Sequence, residues 1–301
     1  MAALPIPQDS SPPPEKMLVK GRHGQFVVIP EDLLVSLSLL YYGEYHEHEW
    51  QFVRRFLSFS QVVVDAGANL GTFTVPFSKA VGPYGRVRSF EPQPVIFECL
   101  RETVAQNRLD NVTLHNLCLG REACTLEITE PDYTQPGNFS GLPFRETGFT
   151  EVKFSQNRIR AECVTLDSVL AGSRLDFLKI DVEGMELDVL EGAKNSLARY
   201  RPVVYLENNR PKNSPPIITL LQDLGYRMWW HTGALFNPNN FSGRQENIYG
   251  LMHNINMICL PPGADAGLIP ASLRAVQGPD DHISLGGGKV LASPADDVDG
   301  R

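Results

Sequence analysis

The stretch VVVDAGANLGTF, residues 62–73, constrains the fold of this chain more than any other. Three β-branched apolar residues followed by an aspartate predict a buried strand, because such side chains favour strands and no polar alternation interrupts them. Gly67 and Gly71 then predict a tight turn that leads into a helix over 70–81. A strand, a glycine turn and a helix in this order are typical of α/β folds that hold a nucleotide-type cofactor.

Further apolar strands alternate with helical patterns, which predicts an α/β fold with a mostly parallel sheet and helices on both faces. The predicted strands are 62–65, 86–91, 112–117, 175–181, 202–207 and 254–260. After the third strand, residues 121–164 alternate between polar and apolar types and predict an inserted β-hairpin. Because this insertion leaves the sheet at the end where ligands bind, we expect it to cover the substrate pocket.

Composition limits the class of protein. The 301 residues carry a formal net charge of −8, which disfavours binding to nucleic acid, and no apolar run approaches the ~18 residues of a membrane span. The five cysteines are scattered, and no signal peptide precedes them, so we expect a reducing, cytoplasmic location. We predict a Pro-rich disordered tail over 1–16, one ordered domain over 17–260 and a weakly ordered tail over 261–301.

The glycine spacing indicates which cofactor the turn holds. Gly67 and Gly71 are separated by three residues, and Ala68 and Asn69 would crowd a pyrophosphate, which dinucleotide sites admit with three glycines. Glu91 ends the next strand, about 20 residues further on, where an acid accepts both hydroxyls of a ribose. S-adenosylmethionine has a ribose and no diphosphate. A nicotinamide-dependent oxidoreductase and a non-catalytic binding module that keeps the fold remain the alternatives.

Acidic residues follow the fourth strand in the segment KIDVEGMELDVLEGA, residues 179–193. Asp181 ends the strand, and Glu183 and Glu186 lie on the turn and the first helical turn. Acids at the end of a buried strand are costly unless they bind something, so Asp181 and Glu183 are candidate catalytic groups. The alternative is that Glu183 and Glu186 only complement the helix N-terminus.

Two further groups of residues are candidates for the chemistry. Asp181 with Glu207 and Asn208, which close the fifth strand, would make an all-oxygen site suited to Mg²⁺, although such groups equally bind substrate hydroxyls. His231 follows YRMWW and is expected at another strand end, where it would be a candidate base. The alternative for His231 is an ordinary surface histidine.

Four segments together, VVVDAGANLGTFT, VRSFEPQP, TLDSVL and LDFLKIDVEGMELDVLEGA, resemble the FkbM family of S-adenosylmethionine-dependent methyltransferases. The resemblance extends over roughly residues 50–262, and its most specific part is the fourth-strand motif I-D-V-E-G-x-E. It implies a Rossmann-like seven-stranded sheet and O-methylation of a small molecule or a sugar hydroxyl.

Carried over by position, the resemblance implies a cofactor site at the strand ends. The methionine end would be lined by the turn residues Asp65, Gly67, Ala68, Asn69 and Gly71. Glu91 would hold the ribose, Asn116 and Leu117 would border the adenine, and Asp181 would lie near the sulfonium. The motifs do not identify the base.

Overall fold

A computed structural model of the chain describes residues 14–139 and 153–283. Its strands are, in chain order, β1 (Met17–Lys20), β2 (Gln25–Val28), β3 (Val62–Ala66), β4 (Arg86–Phe90), β5 (Val112–His115), β6 (Cys118–Leu119), β7 (Cys124–Pro131), β8 (Phe154–Val164), β9 (Phe177–Ile180), β10 (Val203–Glu207), β11 (Arg227–Ala234) and β12 (His253–Leu260). Its α-helices are α1 (Val35–Tyr42), α2 (Glu47–Val53), α3 (Thr74–Val81), α4 (Pro94–Gln106), α5 (Leu166–Leu170), α6 (Glu186–Glu191), α7 (Lys194–Tyr200) and α8 (Ser214–Asp223).

Seven strands form one sheet in the order β5-β4-β3-β9-β10-β12-β11. The pairs β4–β5, β3–β4, β3–β9 and β9–β10 are parallel, whereas β12 is antiparallel to both of its neighbours. Only β12 therefore runs against the other six strands, which confirms the predicted seven-stranded, mostly parallel sheet. The strand order reverses between β3 and β9, and ligands of such sheets bind beyond the carboxyl ends of the strands at this point.

Helices cover both faces of this sheet because its central strands are apolar on both sides. On one face, Val64, Leu178 and Val204 pack in a core with side chains of α5, α6, α7 and α8. On the other face, Val63 and Phe177 pack with side chains of α2 and α3. The polar groups that follow the strands are thereby concentrated at the ends of the sheet.

The first helix after the glycine turn is shorter than the sequence predicted. We expected it over 70–81, and α3 begins only at Thr74. Asn69 has φ +50° and Gly71 has φ +95°, values outside the right-handed helical region, so the turn extends through residue 71. The additional turn residues give the chain a longer backbone segment facing the strand ends.

The predicted insertion after the third strand of the sheet is a hairpin with an added strand. β7 pairs antiparallel with β8, and β6 pairs in parallel with the other edge of β8, which makes a separate three-stranded sheet. The part of the hairpin at 140–152 lies outside the described residues. The β-hairpin prediction is confirmed for the strands that the structure describes.

The N-terminal region contributes elements that the sequence analysis did not assign. β1 and β2 form an antiparallel hairpin, which packs on α4 through a hydrogen bond of 2.9 Å from the Val27 amide to Oγ1 of Thr103. Lys16, placed by composition in the disordered tail, pairs with Glu102 of the same helix at 2.9 Å. Residues 1–13 lie outside the described residues.

The C-terminal region is more ordered over 261–283 than its composition predicted. The amide of Trp230 donates to the carbonyl of Arg274, and the amide of Val276 donates to the carbonyl of Met228, both at 2.9 Å. These bonds satisfy backbone groups on the outer edge of β11, which explains why a Gly- and Pro-containing segment has fixed positions. Residues 284–301 lie outside the described residues. Within the described ranges, no helix has the length and apolar character needed to cross a membrane.

Candidate active site

A cavity opens beyond the carboxyl ends of β3, β4 and β9. Its floor and sides come from the strand ends and the turns that follow them: Ala66, Gly67, Asn69, Thr72, Phe73, Phe90, Glu91, Pro92, Gln93, Lys179, Asp181, Val182 and Glu183. The remaining walls come from Leu117–Leu119 and from an N-terminal group, Leu34, Val35, Tyr45 and His46.

The glycine turn after β3 is fixed to the neighbouring strands. Gly67 has φ +76°, and a β-carbon built on it would lie 1.7 Å from the carbonyl oxygen of Asp181. The amides of Gly67 and Ala68 both donate to the carbonyl of Phe90, at 3.0 and 2.9 Å. Glycine is therefore required at position 67 by its backbone angle and by the close approach of β9.

Gly71 packs against α4 and does not line the cavity. Its β-carbon would lie 3.0 Å from Cδ1 of Leu100 on α4, and its amide donates to the carbonyl of Ala68 at 2.9 Å. We expected this amide to face a ligand, and it is already used within the turn. Neither Gly71 nor Ala68 is among the residues that line the cavity.

Glu91 is one of three acidic residues that line the cavity, with Asp181 and Glu183. Its side chain is buried, Oε2 accepts from the Asn69 amide at 3.0 Å, and Oε1 accepts from the Gln93 amide at 2.9 Å. Burial raises the pKa of Glu91 to about 7, although the two backbone hydrogen bonds lower it. Asn116 stabilises the same strand end, because its Nδ2 donates to the carbonyls of Glu91 and Pro92.

Lys179 is the buried cation of the site, a role that was not predicted from the sequence. Its Nζ lies 3.3 Å from Oδ1 of Asp65 and 3.6 Å from Oδ2 of Asp181, and it donates to the carbonyl of Gly67 at 2.9 Å. Asp65 is fully buried and also accepts from Oγ1 of Thr74 at 2.7 Å. Asp65 thus lies behind the cavity wall, where it holds Lys179 and the start of α3 rather than facing a ligand.

The acids that follow β9 and β10 meet around one arginine. Arg210 donates from Nη2 to Oε2 of Glu183 at 2.8 Å, and its Nη1 lies 3.8 Å from Glu186 and 3.7 Å from Glu207. Burial raises the pKa of Glu183 to about 7 and raises that of Glu207 well above its usual value, in spite of Arg210. Glu186 also accepts from the Gly184 amide at 2.9 Å, which fixes the turn before α6.

Asn208, predicted as a metal ligand, is partly used to anchor the next helix. Its Nδ2 donates to Oγ of Ser214 at 2.8 Å, at the start of α8. Neither Asn208 nor Glu207 lines the cavity directly, whereas Asp181 does. The oxygen of the Asn208 amide has no hydrogen-bond partner among the described residues.

His231 lies in a different place from the one that the sequence predicted. It is in the middle of β11 instead of after a strand, and it is not among the cavity residues. Its ring stacks on Phe52 with 4.1 Å between centroids, and Nδ1 lies 2.8 Å from the Tyr205 hydroxyl. Burial lowers the pKa of His231 to about 4, so the ring is neutral and enclosed. This position does not suit a base for a ligand in the cavity.

The N-terminal group provides the wall that we had expected from the insertion. His46 has φ +58°, and its ring stacks on Tyr45 with 3.7 Å between centroids. Nε2 of His46 lies 2.7 Å from Nδ2 of Asn254, which also donates to Oε1 of Glu49 at 2.7 Å. Because Nδ2 is a donor, Nε2 of His46 is the acceptor, and burial lowers the pKa of this histidine.

The insertion itself supports the cavity from behind. Nε2 of Gln93 donates to the carbonyl of Phe139 at 3.1 Å, and the Tyr133 hydroxyl donates to Oε1 of Gln93 at 3.3 Å. Among its described residues, 121–139 and 153–164, none lines the cavity. The expectation that the insertion covers the pocket is therefore not met by the part of it that the structure describes.

A glycine turn, an acidic residue at the end of the next strand and a cavity at the reversal of strand order are typical of α/β proteins that bind a nucleotide-type cofactor. Comparison of the sequence with known families identifies the family to which the chain belongs. Residues 65–228, more than half of the chain, match the methyltransferase FkbM domain. The chain therefore belongs to the FkbM methyltransferase family, which confirms the resemblance of its motifs and disfavours the oxidoreductase alternative.

Individual relatives are methyltransferases as well. The chain is 30% identical over 207 residues to methyltransferase sdnD of Sordaria araneosa, a match that covers 60% of this chain and 78% of the relative. It is 30% identical over 145 residues to methyltransferase 1 of Beauveria bassiana, with 43% of this chain and 57% of the relative covered. A solved structure of methyltransferase FkbM from Methylobacillus flagellatus is similar with a TM-score of 0.38 and 16% identity, and the match covers 68% of this chain and 47% of that one.

Proposed function

We propose that this chain transfers the methyl group of S-adenosylmethionine to a hydroxyl of a small molecule or a sugar. The observation that carries the proposal is the Glu91 carboxylate in the cavity wall. Each of its oxygens accepts one backbone hydrogen bond, from Asn69 or Gln93, and retains a lone pair for a ribose hydroxyl. The backbone thus orients the carboxylate before any ligand arrives.

The other cavity residues fit the remaining parts of this cofactor. Phe90, Leu117 and Leu119 present an apolar surface near Glu91, which suits an adenine ring. Gly67 and Asn69 of the turn would hold the methionine end. Asp181 is 28% exposed at its side chain, so it is open to the cavity while Lys179 fixes its position.

The bound cofactor supplies an electrophilic methyl carbon on a positively charged sulfur. The residues of this chain then have to place the acceptor hydroxyl in line with that carbon and to receive the hydroxyl proton. We assign the second task to Asp181, because it lines the cavity and Oε2 of its neighbour Glu183 is held by Arg210. His231, which is enclosed in β11, has no part in this assignment.

Calorimetry with S-adenosylhomocysteine tests the cofactor assignment. The Glu91→Ala variant should bind it more weakly by about 2–4 kcal/mol, since two hydrogen bonds to a charged acceptor are lost. The matched control is Glu98→Ala on α4, whose side chain is 40% exposed and pairs with Arg101 at the surface. Equal affinity in wild type and Glu91→Ala would contradict the role of Glu91.

A second measurement separates catalysis from binding. The protein is incubated with S-adenosylmethionine labelled in the methyl group and a panel of sugars, phenols and hydroxy acids. Transfer to oxygen yields a methyl ether whose label survives mild alkali. A protein that binds S-adenosylhomocysteine and transfers no label to any hydroxyl compound would be the non-catalytic binding module, or would methylate another atom, and either result would contradict the O-methylation proposal.

A further inference from the structure

Three carboxylates converge where β9 and β10 end. One oxygen each of Asp181, Glu183 and Glu207 lies within 4.8 Å of the other two. β9 and β10 are adjacent and parallel, so the residues after them meet at one edge of the sheet. Asp181 and Glu183 also line the cavity, so the cluster borders the space that a ligand would occupy.

The spacing of these oxygens matches that around a single hard cation. Two ligands on opposite sides of Mg²⁺ are separated by about 4.2 Å, and around Ca²⁺ by about 5 Å, because the metal–oxygen distances are about 2.1 and 2.5 Å. The three oxygens lie within 4.8 Å of one another, so side-chain rotations that bring them slightly closer allow one ion to contact all three carboxylates. Carboxylate oxygens select Mg²⁺, Mn²⁺ or Ca²⁺ over metals that prefer nitrogen or sulfur.

The side chains at this edge of the sheet include more acidic than basic groups. Two cations, the buried Lys179 and the partly buried Arg210, are shared by five carboxylates within 4 Å of them: Asp65, Asp181, Glu183, Glu186 and Glu207. With every group ionised, three negative charges remain in a partly buried place. An additional divalent cation would offset most of that excess.

Unpartnered oxygens provide an independent sign of a missing ligand. Glu207 is only 8% exposed, and its Oε2 makes no hydrogen bond within the described part of the chain. The nearest cationic atom is Nη1 of Arg210 at 3.7 Å, beyond hydrogen-bond distance. The adjacent Asn208 is 2% exposed, and its Oδ1 is also without a hydrogen bond there. Buried acceptors of this kind are costly unless a ligand satisfies them.

We propose that Asp181, Glu183 and Glu207 bind a divalent cation of the Mg²⁺ and Mn²⁺ type. The three carboxylates provide half of an octahedral shell, and two of them, Asp181 and Glu183, line the cavity. The site adds Glu183 to the predicted acids Asp181 and Glu207. Binding of the cation is independent of the proposed methyl transfer. The role that we give the cation, which is to lower the pKa of an acceptor hydroxyl, rests on the proposed function.

Titration of the full-length protein with Mn²⁺, followed by the loss of the free-ion signal in electron paramagnetic resonance, tests the site without cofactor or substrate. Wild type should bind one ion, and Mg²⁺ should displace it. Glu207→Gln and Glu183→Gln should each weaken Mn²⁺ binding by about tenfold or more, since each removes a charged ligand. The matched control is Glu186→Gln, which loses the same charge beside Arg210 without losing a ligand, and should change the affinity far less.

The Arg210→Met variant should change the affinity for Mn²⁺ in the opposite direction. It removes the positive charge that competes for Glu183 and Glu207, so Mn²⁺ should bind more tightly than to wild type. Circular dichroism shows whether each variant is folded, and the wild-type titration stands even if a variant is not. The proposal would be overturned if the wild-type protein did not bind Mn²⁺ at millimolar concentration. It would also be overturned if wild type and a folded Glu207→Gln variant bound Mn²⁺ with equal affinity.

Calorimetry with S-adenosylhomocysteine on the same preparation distinguishes the two proposals. Protein that binds S-adenosylhomocysteine and no Mn²⁺ retains the proposed function and loses the metal site. Protein that binds Mn²⁺ with the expected response to Glu207→Gln, and no S-adenosylhomocysteine, retains the metal site and loses the cofactor assignment.

Discussion

A β-carbon on Gly67 would lie 1.7 Å from the carbonyl oxygen of Asp181, so the glycine turn after β3 and the acid after β9 pack directly on each other. The carbonyl of Gly67 also accepts from Lys179, the residue two positions before Asp181. The turn that we assign to the cofactor and the acid that we assign to the acceptor are therefore held by the same contact. A change on either side is expected to affect the other.

The first prediction is that Gly67→Ala lowers the free energy of unfolding by more than about 3 kcal/mol, because the new methyl group meets backbone that cannot move aside. Urea unfolding measures the loss. Gly243→Ala is the control, since Gly243 has a similar φ of +68° with nothing within 4 Å. Gly243→Ala should lower the free energy of unfolding by only about 1–2 kcal/mol, which is the cost of placing alanine in the left-handed backbone region. Equal losses in the two variants would show that the close approach to Asp181 is not what requires glycine.

The second prediction concerns the buried cation. Lys179→Met should lower the free energy of unfolding by about 3–5 kcal/mol, because it leaves the Asp65 and Asp181 carboxylates without their counter-ion. Adding Asp65→Asn to Lys179→Met should restore part of the loss. Denaturant unfolding of the two single variants and the double variant measures this coupling. Strictly additive losses would contradict the ion pair between Lys179 and Asp65.

The third prediction is that Asp181→Asn lowers kcat by ~10²-fold or more and leaves the affinity for S-adenosylhomocysteine within about threefold of wild type. The amide keeps the size of the side chain and cannot take the acceptor proton. Steady-state kinetics, once an acceptor is known, and calorimetry measure the two quantities. Glu98→Gln on the surface of α4 is the control. A wild-type kcat in Asp181→Asn would remove Asp181 from the chemistry.

The fourth prediction is a pH effect on stability that comes from His231. Its pKa is about 4 in the folded protein and 6.5 in its ordinary state, because burial opposes the charged ring. As the pH falls, His231 in the unfolded chain therefore takes up its proton at a higher pH than His231 in the folded protein. The stability that the neutral ring contributes is present above about pH 6.5 and is lost as the pH falls towards 4, by an amount on the order of 3 kcal/mol.

Thermal unfolding of wild type and His231→Gln across pH 4–8 checks this effect. The difference in stability between the two proteins should change in favour of the variant as the pH falls from 6.5 to 4, and it should be constant above pH 7. Other titrating groups act on both proteins and cancel in the difference. A difference that does not depend on pH would mean that His231 can take up its proton within the folded strand.

Local features of the sequence predicted the part of the cavity that we assign to the cofactor. The strand at residues 62–65, the turn at Gly67 and the acid at Glu91 are each recognisable within a few residues, because strand ends and glycine turns depend on local chemistry. The sheet that these strands form then brings Asp181 beside them, as expected for parallel strands. The pattern also predicted the insertion as a hairpin, from alternation alone.

Other parts of the site depend on contacts between distant residues and gave no local signal. Lys179 was read as one residue of an apolar strand, and only the neighbouring strand supplies Asp65 as its partner. Gly71 was assigned to a ligand, whereas Leu100 of α4 explains it. His46 lies in the charged segment EYHEHEW, which has no strand or helix signature of its own. The contacts of His46 with Asn254 span most of the chain and form only in the folded protein.

The N-terminal wall of the cavity, formed by Leu34, Val35, Tyr45 and His46, precedes the region that matches the family, which begins at residue 65. The shared region holds the residues that we assign to the cofactor, and the wall is outside it. Two chains can therefore be equally similar to this family over 65–228 and enclose differently shaped spaces. A search for the acceptor is better guided by chains that also agree over 34–46 than by the degree of identity within the shared region.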